Sequence, residues 1–296
     1  MEQDDAMTAR ADVGVIGGSG LYAIEEIEAP REVRLTTPFG EPTDAFLVGR
    51  LSGQAVAFLP RHGRGHRIAP SELNFRANIW GMKMLGVKRI IAAGAVGSMK
   101  EDIHPLDLVF PDQFIDRTHH RVATFFGDGI VAHVGLADPF CGVLRSHLAG
   151  VARDAGARVH DRGTYVCIEG PQFSTRAESH LYRSWGASVI GMTNMQEARL
   201  AREAEICYAT MALVTDYDCW HETEESVSVE TIIDYLRKNA TMARNVVSRA
   251  LRTLGTVTET CACGSALQNA IITDRRAIPE VAKRRLALLV GKYLGE

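Results

Sequence analysis

The chain has 296 residues, of which 46% are hydrophobic and 23% charged, which is ordinary for a globular protein. Its formal net charge of -3 argues against a nucleic-acid partner or an anionic membrane surface. No apolar run approaches the roughly 20 residues that a membrane-spanning helix needs. The acidic N-terminus does not resemble a signal peptide, and the six cysteines do not form a dense disulfide scaffold, so we expect a cytoplasmic protein.

Short apolar runs alternate with longer amphipathic segments along the chain, a pattern that predicts strands followed by helices. The predicted strands, in chain order, are residues 13–16, 45–48, 55–59, 89–93, 106–114, 164–168, 189–191 and 211–214. The predicted helices are residues 70–85, 139–155, 174–184, 196–205, 229–254 and 277–294. This alternation predicts an α/β fold with a central mixed, twisted sheet flanked by helices. We expect one domain over residues 12–296, after a disordered tail at residues 1–11.

Two loops that follow predicted strands in the N-terminal third are candidate anion sites. Glycines in the loop 17–20 let the backbone turn and approach a ligand closely, and Ser19 adds a hydroxyl. The segment 61–67 holds three arginines and two histidines, and the planar fork of Arg61 suits an oxyanion. A tight turn and a solvated basic loop are the plainer alternatives. Because the histidines have no carboxylates at ligand spacing, we expect no metal site there.

Three later turns also follow predicted strands, and we interpret them as further parts of one site. Small residues at 94–98 leave backbone N–H groups open at the carboxyl edge of the sheet, where α/β folds bind ligands. Beyond a rigid Gly-Pro turn, Phe173 can stack on a flat ring. Met192 offers adaptable apolar surface for a sugar, and Thr193 offers a donor for phosphate. Ordinary packing and helix capping are the alternatives for these turns.

The segment 215–220 is the most informative part of the sequence. Asp216 and Asp218 follow a buried strand, and carboxylates at i and i+2 on an extended segment point to the same side. Buried carboxylates are costly unless a partner exchanges protons with them or donates to them. A purine with a 6-amino group is such a partner, because N7 needs a proton as the base leaves and the amino group donates. A strand that simply ends in a polar turn is the alternative.

The cysteines do not predict a metal site. Cys261 and Cys263 have no second cysteine pair and no histidine nearby in the sequence, as a zinc site would require. We expect two free thiols there, with a redox pair or a disulfide as alternatives. The other cysteines lie in apolar contexts and are expected to be packing residues, namely Cys141, Cys167, Cys207 and Cys219.

Several segments, taken in order over residues 13–255, resemble the S-methyl-5'-thioadenosine phosphorylases, which belong to the trimeric purine nucleoside phosphorylases. These segments are GGSG, RHGRGH, AVGSM, EGPQFSTRAES, GMTNMQEARLAREAEICYA and TDYDCWHE. The resemblance implies the nucleoside phosphorylase fold and phosphorolysis of methylthioadenosine to adenine and 5-methylthioribose 1-phosphate, in purine salvage and methionine recycling. Inorganic phosphate is then a co-substrate, with no cofactor and no metal, and the expected assembly is a homotrimer or a hexamer.

The resemblance also implies roles for individual residues. It implies a phosphate site formed by Ser19, Arg61, His62, the backbone at Ala95, and Thr193. Met192 would lie under the ribose and Phe173 against the base. Thr215, Asp216 and Asp218 would bind the adenine, with the two carboxylates as the catalytic pair. Asp216 is the candidate general acid for N7, which requires a raised pKa that burial and the charge of Asp218 would supply.

Residues at the 5' end of the substrate follow from the same resemblance. Val229 and Ile232 would line the methylthio pocket, and His133 would cover the 5'-substituent in the site of a neighbouring subunit. Relatives that act on 6-oxopurines carry Glu and Asn where this chain has Ser174 and Asp216, so a 6-aminopurine is favoured. Many relatives have Pro in place of Gln196, which puts only the rigidity of that loop in doubt.

The sequence leaves other functions open. A purine nucleoside phosphorylase could act on adenosine, inosine or methylthioinosine in the same pocket. A hydrolase would use water instead of phosphate, but Arg61 and His62 argue against it because water needs no anion site. A catalytically silent nucleotide-binding protein is a third alternative, against which the intact pair of Asp216 and Asp218 argues.

Overall fold

A computed structural model of the chain describes residues 9–18, 26–221 and 229–295, without the side chains of residues 229–233. Within these ranges, eleven strands form one sheet. The strands are β1 (Val13–Gly17), β2 (Glu28–Val33), β3 (Phe46–Leu51), β4 (Gln54–Pro60), β5 (Arg89–Ser98), β6 (Leu108–Val109), β7 (Gln113–Arg117), β8 (Val159–His160), β9 (Thr164–Ile168), β10 (Val189–Gly191) and β11 (Cys207–Tyr217). The helices are α1 (Phe75–Met84), α2 (Gly142–Asp154), α3 (Arg176–Ser184), α4 (Asn194–Glu203), α5 (Val229–Thr253) and α6 (Glu280–Leu294). Among the described helices, none combines the length and apolar character that crossing a membrane requires.

The sheet is mixed, as the sequence predicts, and β5 is its central strand. The main strand order is β2-β3-β4-β1-β5-β10-β9-β7. β1 runs parallel to β4 and β5, β11 runs parallel to β5, and β10 runs antiparallel to β5. β6 pairs with β11, and β8 pairs with β6. The carboxyl ends of β1, β4, β5 and β11 therefore lie toward the same end of the sheet, which is where α/β folds bind ligands.

Alternate residues of β5 enter two separate hydrophobic cores. Ile90 and Ala92 pack with residues of α1, α4 and α6, whereas Ile91 and Ala93 pack with residues of α2 and α5. All of these β5 residues are fully buried. Helices therefore cover both faces of the sheet, which explains why this strand is an unbroken apolar run in the sequence.

The sheet opens beside β5 at the level of Gly94 and Ala95. β11 occupies one side of β5 along its whole length. On the other side, pairing with β1 reaches Ala92, and pairing with β10 starts only at Gly97. Between these two points, no strand in the described ranges pairs with this second side of β5. The backbone of this short stretch is therefore available to face a ligand.

The structure corrects the predicted N-terminal tail and adds two strands, β2 and the short β8. Ala9 and Ala11 are buried in the core, and the Ala11 N–H donates to the Leu85 carbonyl at 2.9 Å. The tail predicted at residues 1–11 is therefore too long by at least residues 9–11. The sequence pattern does not predict β2, because five of its six residues are exposed and they include Pro30; it forms by antiparallel pairing with β3.

Two further boundaries differ from the prediction for local reasons. The strand predicted at residues 106–114 is two short strands, β6 and β7, separated by Pro111, which has no N–H for a sheet ladder. The helix predicted from residue 70 begins at Phe75. Pro70–Glu72 forms a 3-10 turn, and Asn74 caps α1 by accepting the Ala77 N–H at 3.1 Å.

Gly81 in α1 packs directly against Phe46 of β3. A Cβ atom at Gly81 would lie 2.6 Å from the buried Phe46 ring, whereas nothing lies within 4 Å of a Cβ atom at Gly150 in α2. We expect Gly81→Ala to lower the free energy of unfolding by about 1–3 kcal/mol, because the ring has to move. The control, Gly150→Ala, should raise it by about 0.5–1 kcal/mol. Urea unfolding followed by circular dichroism measures both changes, and a destabilised control would contradict this account.

Candidate active site

A cavity of about 380 Å³ lies at the opening beside β5. Its walls come from the carboxyl ends of β1, β4, β5 and β11, the turn after β10, and one face of α5. The loops that contribute to it are far apart in the sequence, so the fold alone brings them together. The cavity collects most residues that the sequence predicts for a site, namely Arg61, His62, Ala95, Phe173, Met192, Thr193, Thr215, Asp216 and Asp218.

The remaining predicted residues do not line the described cavity. Ser19 lies outside the described residues, and so do the side chains of Val229 and Ile232. His133 is exposed, and its backbone N–H donates to the Ala270 carbonyl at 2.8 Å. Its predicted role in the site of a neighbouring subunit stays a prediction.

A β-bulge at Thr215 shapes the end of β11 that forms the cavity wall. β11 pairs with β5 up to Val214, and the pairing resumes at Asp216, so Thr215 is an extra residue. The register therefore places Asp216 on the face of Leu213 and not on that of Val214. Asp218 follows two residues later, and both carboxylates line the cavity, on a common side as the sequence predicts.

Asp216 shares a short hydrogen bond with its neighbour. Thr215 Oγ1 lies 2.6 Å from Asp216 Oδ2 and 3.3 Å from the Val96 carbonyl oxygen. The hydroxyl has one proton, which it can donate to only one of these oxygens. When it donates to Val96, the Asp216 carboxyl has to supply the proton for the shorter contact. This arrangement accommodates Asp216 both as a carboxylate and as an acid, which a proton donor in a reaction requires.

Asp218 is held as a hydrogen-bond acceptor. It is buried, and Ser174 Oγ donates to its Oδ2 at 2.7 Å. Its backbone N–H donates to the Ser98 carbonyl at 3.1 Å, which fixes the turn after β11. Its other carboxylate oxygen, Oδ1, can accept from a ligand in the cavity.

Arg61 forms a buried ion pair in the cavity wall. Its Nε and Nη2 donate to Glu197 of α4 at 2.5 and 3.1 Å, and its Nη1 donates to the Ala93 carbonyl at 2.8 Å. Burial alone would lower the pKa of Arg61, but the charge and hydrogen bonds of Glu197 raise it above the ordinary value. The guanidinium therefore stays charged. It has more N–H donors than these contacts use, so it can also bind an anion.

Glu197 is a functional neighbour that the sequence analysis does not identify. It is 1% exposed, and Tyr208 of β11 donates its hydroxyl to Glu197 Oε2 at 2.7 Å. Asn194 Nδ2 in turn donates to the Tyr208 hydroxyl at 3.1 Å. Burial and the Glu197 charge raise the pKa of Tyr208. In the sequence, Glu197 looks like any acidic residue in the first turn of a helix, and only the tertiary contact with Arg61 distinguishes it.

His62 lies in the cavity wall as a neutral ring. It is buried, its Nδ1 lies 2.9 Å from the Ile68 carbonyl oxygen, and it stacks on His66 with ring centroids 4.4 Å apart. Burial and, to a smaller extent, the positive charges of Arg61 and Arg121 lower the pKa of His62 to about 4, although the hydrogen bond to the Ile68 carbonyl opposes this shift. Because the carbonyl can only accept, Nδ1 carries the proton, and Nε2 is an acceptor. Such an acceptor suits an oxyanion that still bears a proton.

Arg121 fixes the turn that carries Met192, although the sequence analysis does not single it out. Its side chain is 2% exposed, and it donates to the carbonyls of Met192 and Glu169. It also donates to Gln196 Oε1 at 3.1 Å, and Gln196 Nε2 donates to Thr118 Oγ1 at 2.9 Å. Gln196 is thus held on both ends of its amide, so the loop has a source of rigidity that needs no proline.

One face of α5 covers the cavity. Leu236 and Ala240, one helical turn apart, line it, and neither was predicted. Asn239 is 2% exposed, and its Nδ2 donates to the Val214 carbonyl at 2.9 Å, which fastens α5 to β11. The i, i+4 spacing that continues from the predicted Ile232 is the signal that would have identified Leu236 and Ala240.

The charged groups of the cavity are distributed along β5. Gly94 is the β5 residue beside Arg61, and Gly97 is the one beside Asp216, about 10 Å further along the strand. Phe173 also lines the cavity but is 84% exposed, so its ring is not part of the core. The site can therefore hold a molecule with a proton-accepting ring near the two carboxylates. An anion can bind near Arg61, at the other end of that molecule.

Comparison with known families agrees with this geometry. The model of a family described as the phosphorylase superfamily matches residues 12–252, which includes every strand of the sheet. The matched region also contains all the described residues of the cavity.

Individual relatives are similar over almost the whole chain. The S-methyl-5'-thioadenosine phosphorylase of Koribacter versatilis is 58% identical over 287 residues, which cover 97% of this chain and 98% of the relative. The S-methyl-5'-thioadenosine phosphorylase of Geobacter sulfurreducens is 57% identical over 283 residues, which cover 95% and 99%.

Solved structures are similar as well. A crystal structure of a methylthioadenosine phosphorylase from an antarctic soil metagenomic library has a TM-score of 0.92 at 50% identity, covering 95% of this chain and 99% of that chain. A variant of the adenosine/methylthioadenosine phosphorylase of Schistosoma mansoni, in complex with methylthioadenosine, has a TM-score of 0.79 at 34% identity, covering 95% and 98%.

The neutral state of His62 should make stability depend on pH. Its pKa is lowered from 6.5 to about 4 by folding, so between these values the unfolded chain binds the proton more readily and stability falls as the pH falls. His62→Asn keeps a donor near the Ile68 carbonyl but cannot titrate. From pH 7 to pH 5, the wild-type chain should lose about 1–2 kcal/mol more unfolding free energy than this variant.

Urea unfolding at the two pH values measures this difference. The control is His180→Asn, because His180 is exposed on α3 and its replacement should leave the pH dependence as it is in the wild-type chain. Equal pH dependence in the wild-type chain and in His62→Asn would contradict a buried neutral His62.

Proposed function

The chain belongs to the phosphorylase superfamily, and on this premise we propose that it catalyses the phosphate-dependent cleavage of S-methyl-5'-thioadenosine to adenine and 5-methylthioribose 1-phosphate. It is then a pentosyltransferase that serves purine salvage and methionine recycling. The observation that carries the proposal is one cavity with two carboxylates, Asp216 and Asp218, and a charged arginine, Arg61. Relatives and solved structures named for this reaction support it.

In this reaction Asp216 is the proton donor to N7 of the leaving adenine. The glycosidic bond breaks more easily if the base departs neutral, so N7 has to receive a proton as the bond lengthens. The contact with Thr215 lets the Asp216 carboxyl hold that proton before the reaction. Asp218, oriented by Ser174, accepts from the 6-amino group of the base. A carboxylate in this place would repel a 6-oxo group, which supports adenine over hypoxanthine as the base.

Phosphate acts as the nucleophile and as an electrostatic partner. The ribose passes through a state with positive charge near C1', as in other glycosidic cleavages. Arg61, the backbone at Ala95 and the hydroxyl of Thr193 hold the anion, and Ser19 is a further predicted ligand. The neutral His62 can accept the proton of hydrogen phosphate at Nε2. The fixed anion stabilises the developing cation and then captures it, so positioning and charge stabilisation act together.

Phosphorolysis of this kind requires no organic cofactor and no catalytic metal, since the acid and the anion site supply the catalysis. We propose a homotrimer, with a hexamer as the alternative, in which His133 covers the 5' end of the substrate in a neighbouring subunit. A nucleoside and phosphate are the proposed small-molecule partners, and the cytoplasm is the proposed location.

Phosphate-dependent release of adenine tests the function and the role of Asp216 together. Wild-type protein should release adenine from methylthioadenosine only when phosphate is present, with the sugar recovered as its 1-phosphate. Asp216→Asn should lower turnover by about 10²-fold or more, since an amide cannot give N7 its proton. The control is Asp102→Asn, at an exposed carboxylate outside the cavity. Release of free sugar would indicate a hydrolase, and full activity of Asp216→Asn would refute its role.

The 5' end of the substrate gives a second test. Leu236 and Ala240 offer no hydrogen-bond partner to a 5'-hydroxyl, and Val229 and Ile232 are predicted to add to this apolar surface. Desolvating an unpaired hydroxyl costs about 1–3 kcal/mol. We therefore expect kcat/KM for methylthioadenosine to exceed that for adenosine by roughly 10-fold or more. Initial-rate kinetics with both nucleosides at saturating phosphate measures the ratio, and equal values would contradict an apolar 5' pocket.

A further inference from the structure

Four cysteine sulfurs converge at a place remote from the cavity. The Sγ atoms of Cys141, Cys207, Cys261 and Cys263 all lie within 4.8 Å of one another. This corrects the prediction that Cys261 and Cys263 lack a second pair and that Cys141 and Cys207 are only packing residues. The second pair exists in space but comes from two other segments, so spacing along the sequence could not identify it.

Each part of this cysteine cluster belongs to a different element. Cys141 is the N-cap residue of α2, and Cys207 is the first residue of β11. Cys261 and Cys263 lie at the 3-10 helix Ala262–Ser265 in the C-terminal segment. Cys141 and Cys263 are buried, whereas Cys261 is exposed. The cluster is thus mostly shielded but keeps a path to solvent through Cys261.

The geometry points to a bound metal ion: we propose that the cysteine cluster is a structural Zn²⁺ site with four thiolate ligands. A tetrahedral zinc ion with bonds of about 2.3 Å holds its sulfurs about 3.8 Å apart. In the structure, the four sulfurs lie within 4.8 Å of one another, and those of Cys207 and Cys261 are 3.3 Å apart. The sulfur–sulfur distance in a tetrahedral zinc site lies between these two values. Two disulfides would instead bring the sulfurs together in pairs at about 2.05 Å and would not require all four to meet around one point.

Two groups of the fold favour the negative form of a sulfur atom in the cluster. The backbone N–H of Leu144 in the first turn of α2 donates to the Cys141 sulfur, and the positive charge of Arg202 acts on Cys263. Binding of Zn²⁺ replaces the thiol protons of its ligands and releases them to solvent.

The role of this ion is structural and not catalytic. Four protein ligands leave no open coordination position for a substrate or a water molecule. Cys207 and Asp216 stand at opposite ends of β11, about 30 Å apart along an extended strand. The ion would fasten the C-terminal segment to the start of β11 and the start of α2. The site is therefore independent of the proposed reaction.

Metal analysis of the purified chain tests the site. Protein reduced with a phosphine, incubated with Zn²⁺ and desalted should retain about one zinc per chain by inductively coupled plasma mass spectrometry. Cys261→Ala removes an exposed ligand and should lose the zinc while the protein stays folded. The matched control is Cys219→Ala, which removes an exposed cysteine outside the cluster and should retain the zinc. With Co²⁺ instead, wild-type protein should show the strong visible absorption of tetrahedral thiolate coordination.

Thermal unfolding supplies a readout that does not depend on the variants folding well. A strong chelator should lower the melting temperature of the zinc-loaded wild-type chain and of Cys219→Ala. Failure of the reduced wild-type chain to retain zinc would overturn the proposal. So would mass spectrometry that finds two disulfides within the cluster in zinc-treated protein, or equal zinc content in the Cys261→Ala variant and the wild-type chain.

Discussion

The buried ion pair between Arg61 and Glu197 is the interaction on which the site depends. It joins the loop after β4 to α4, and through the Ala93 carbonyl and Tyr208 it reaches β5 and β11. A charge at this depth is tolerable only with its partner, and removal of one member of such a pair typically costs about 3–5 kcal/mol. The pair therefore holds together the elements around the cavity and keeps a cation ready beside it.

Much of the site could be predicted because strands impose simple rules. Polar residues at the ends of buried strands, such as Arg61 directly after β4 and Asp216 near the end of β11, lie at the carboxyl end of the sheet, and parallel strands bring those ends together. The two carboxylates share a side because they are two residues apart. The resemblance to a known family predicted the roles of these residues. The i, i+4 pattern of α5 would also have identified Leu236 and Ala240 as cavity residues.

The rest depends on contacts between distant segments. Glu197 and Arg121 carry no local signal, since an acid in a first helical turn or an arginine in a loop is commonplace on a surface. Five of the six residues of β2 are exposed, and the segment becomes a strand only because β3 lies beside it. The cysteine cluster draws on three segments, and its members look unremarkable one by one. In each case contacts between distant segments determine the structure, and local sequence propensity does not predict it.

The bulge at Thr215 also changes how many functional groups one strand can offer. A regular strand presents every second side chain to a given face. Because Thr215 is accommodated as an extra residue, Thr215 and Asp216 both line the cavity although they are adjacent in the chain. The strand thus carries a hydroxyl and a carboxyl side by side, in a contact that regular β structure would keep apart. One irregular residue thus increases the number of functional side chains that this strand presents to the cavity, and no other element has to be longer.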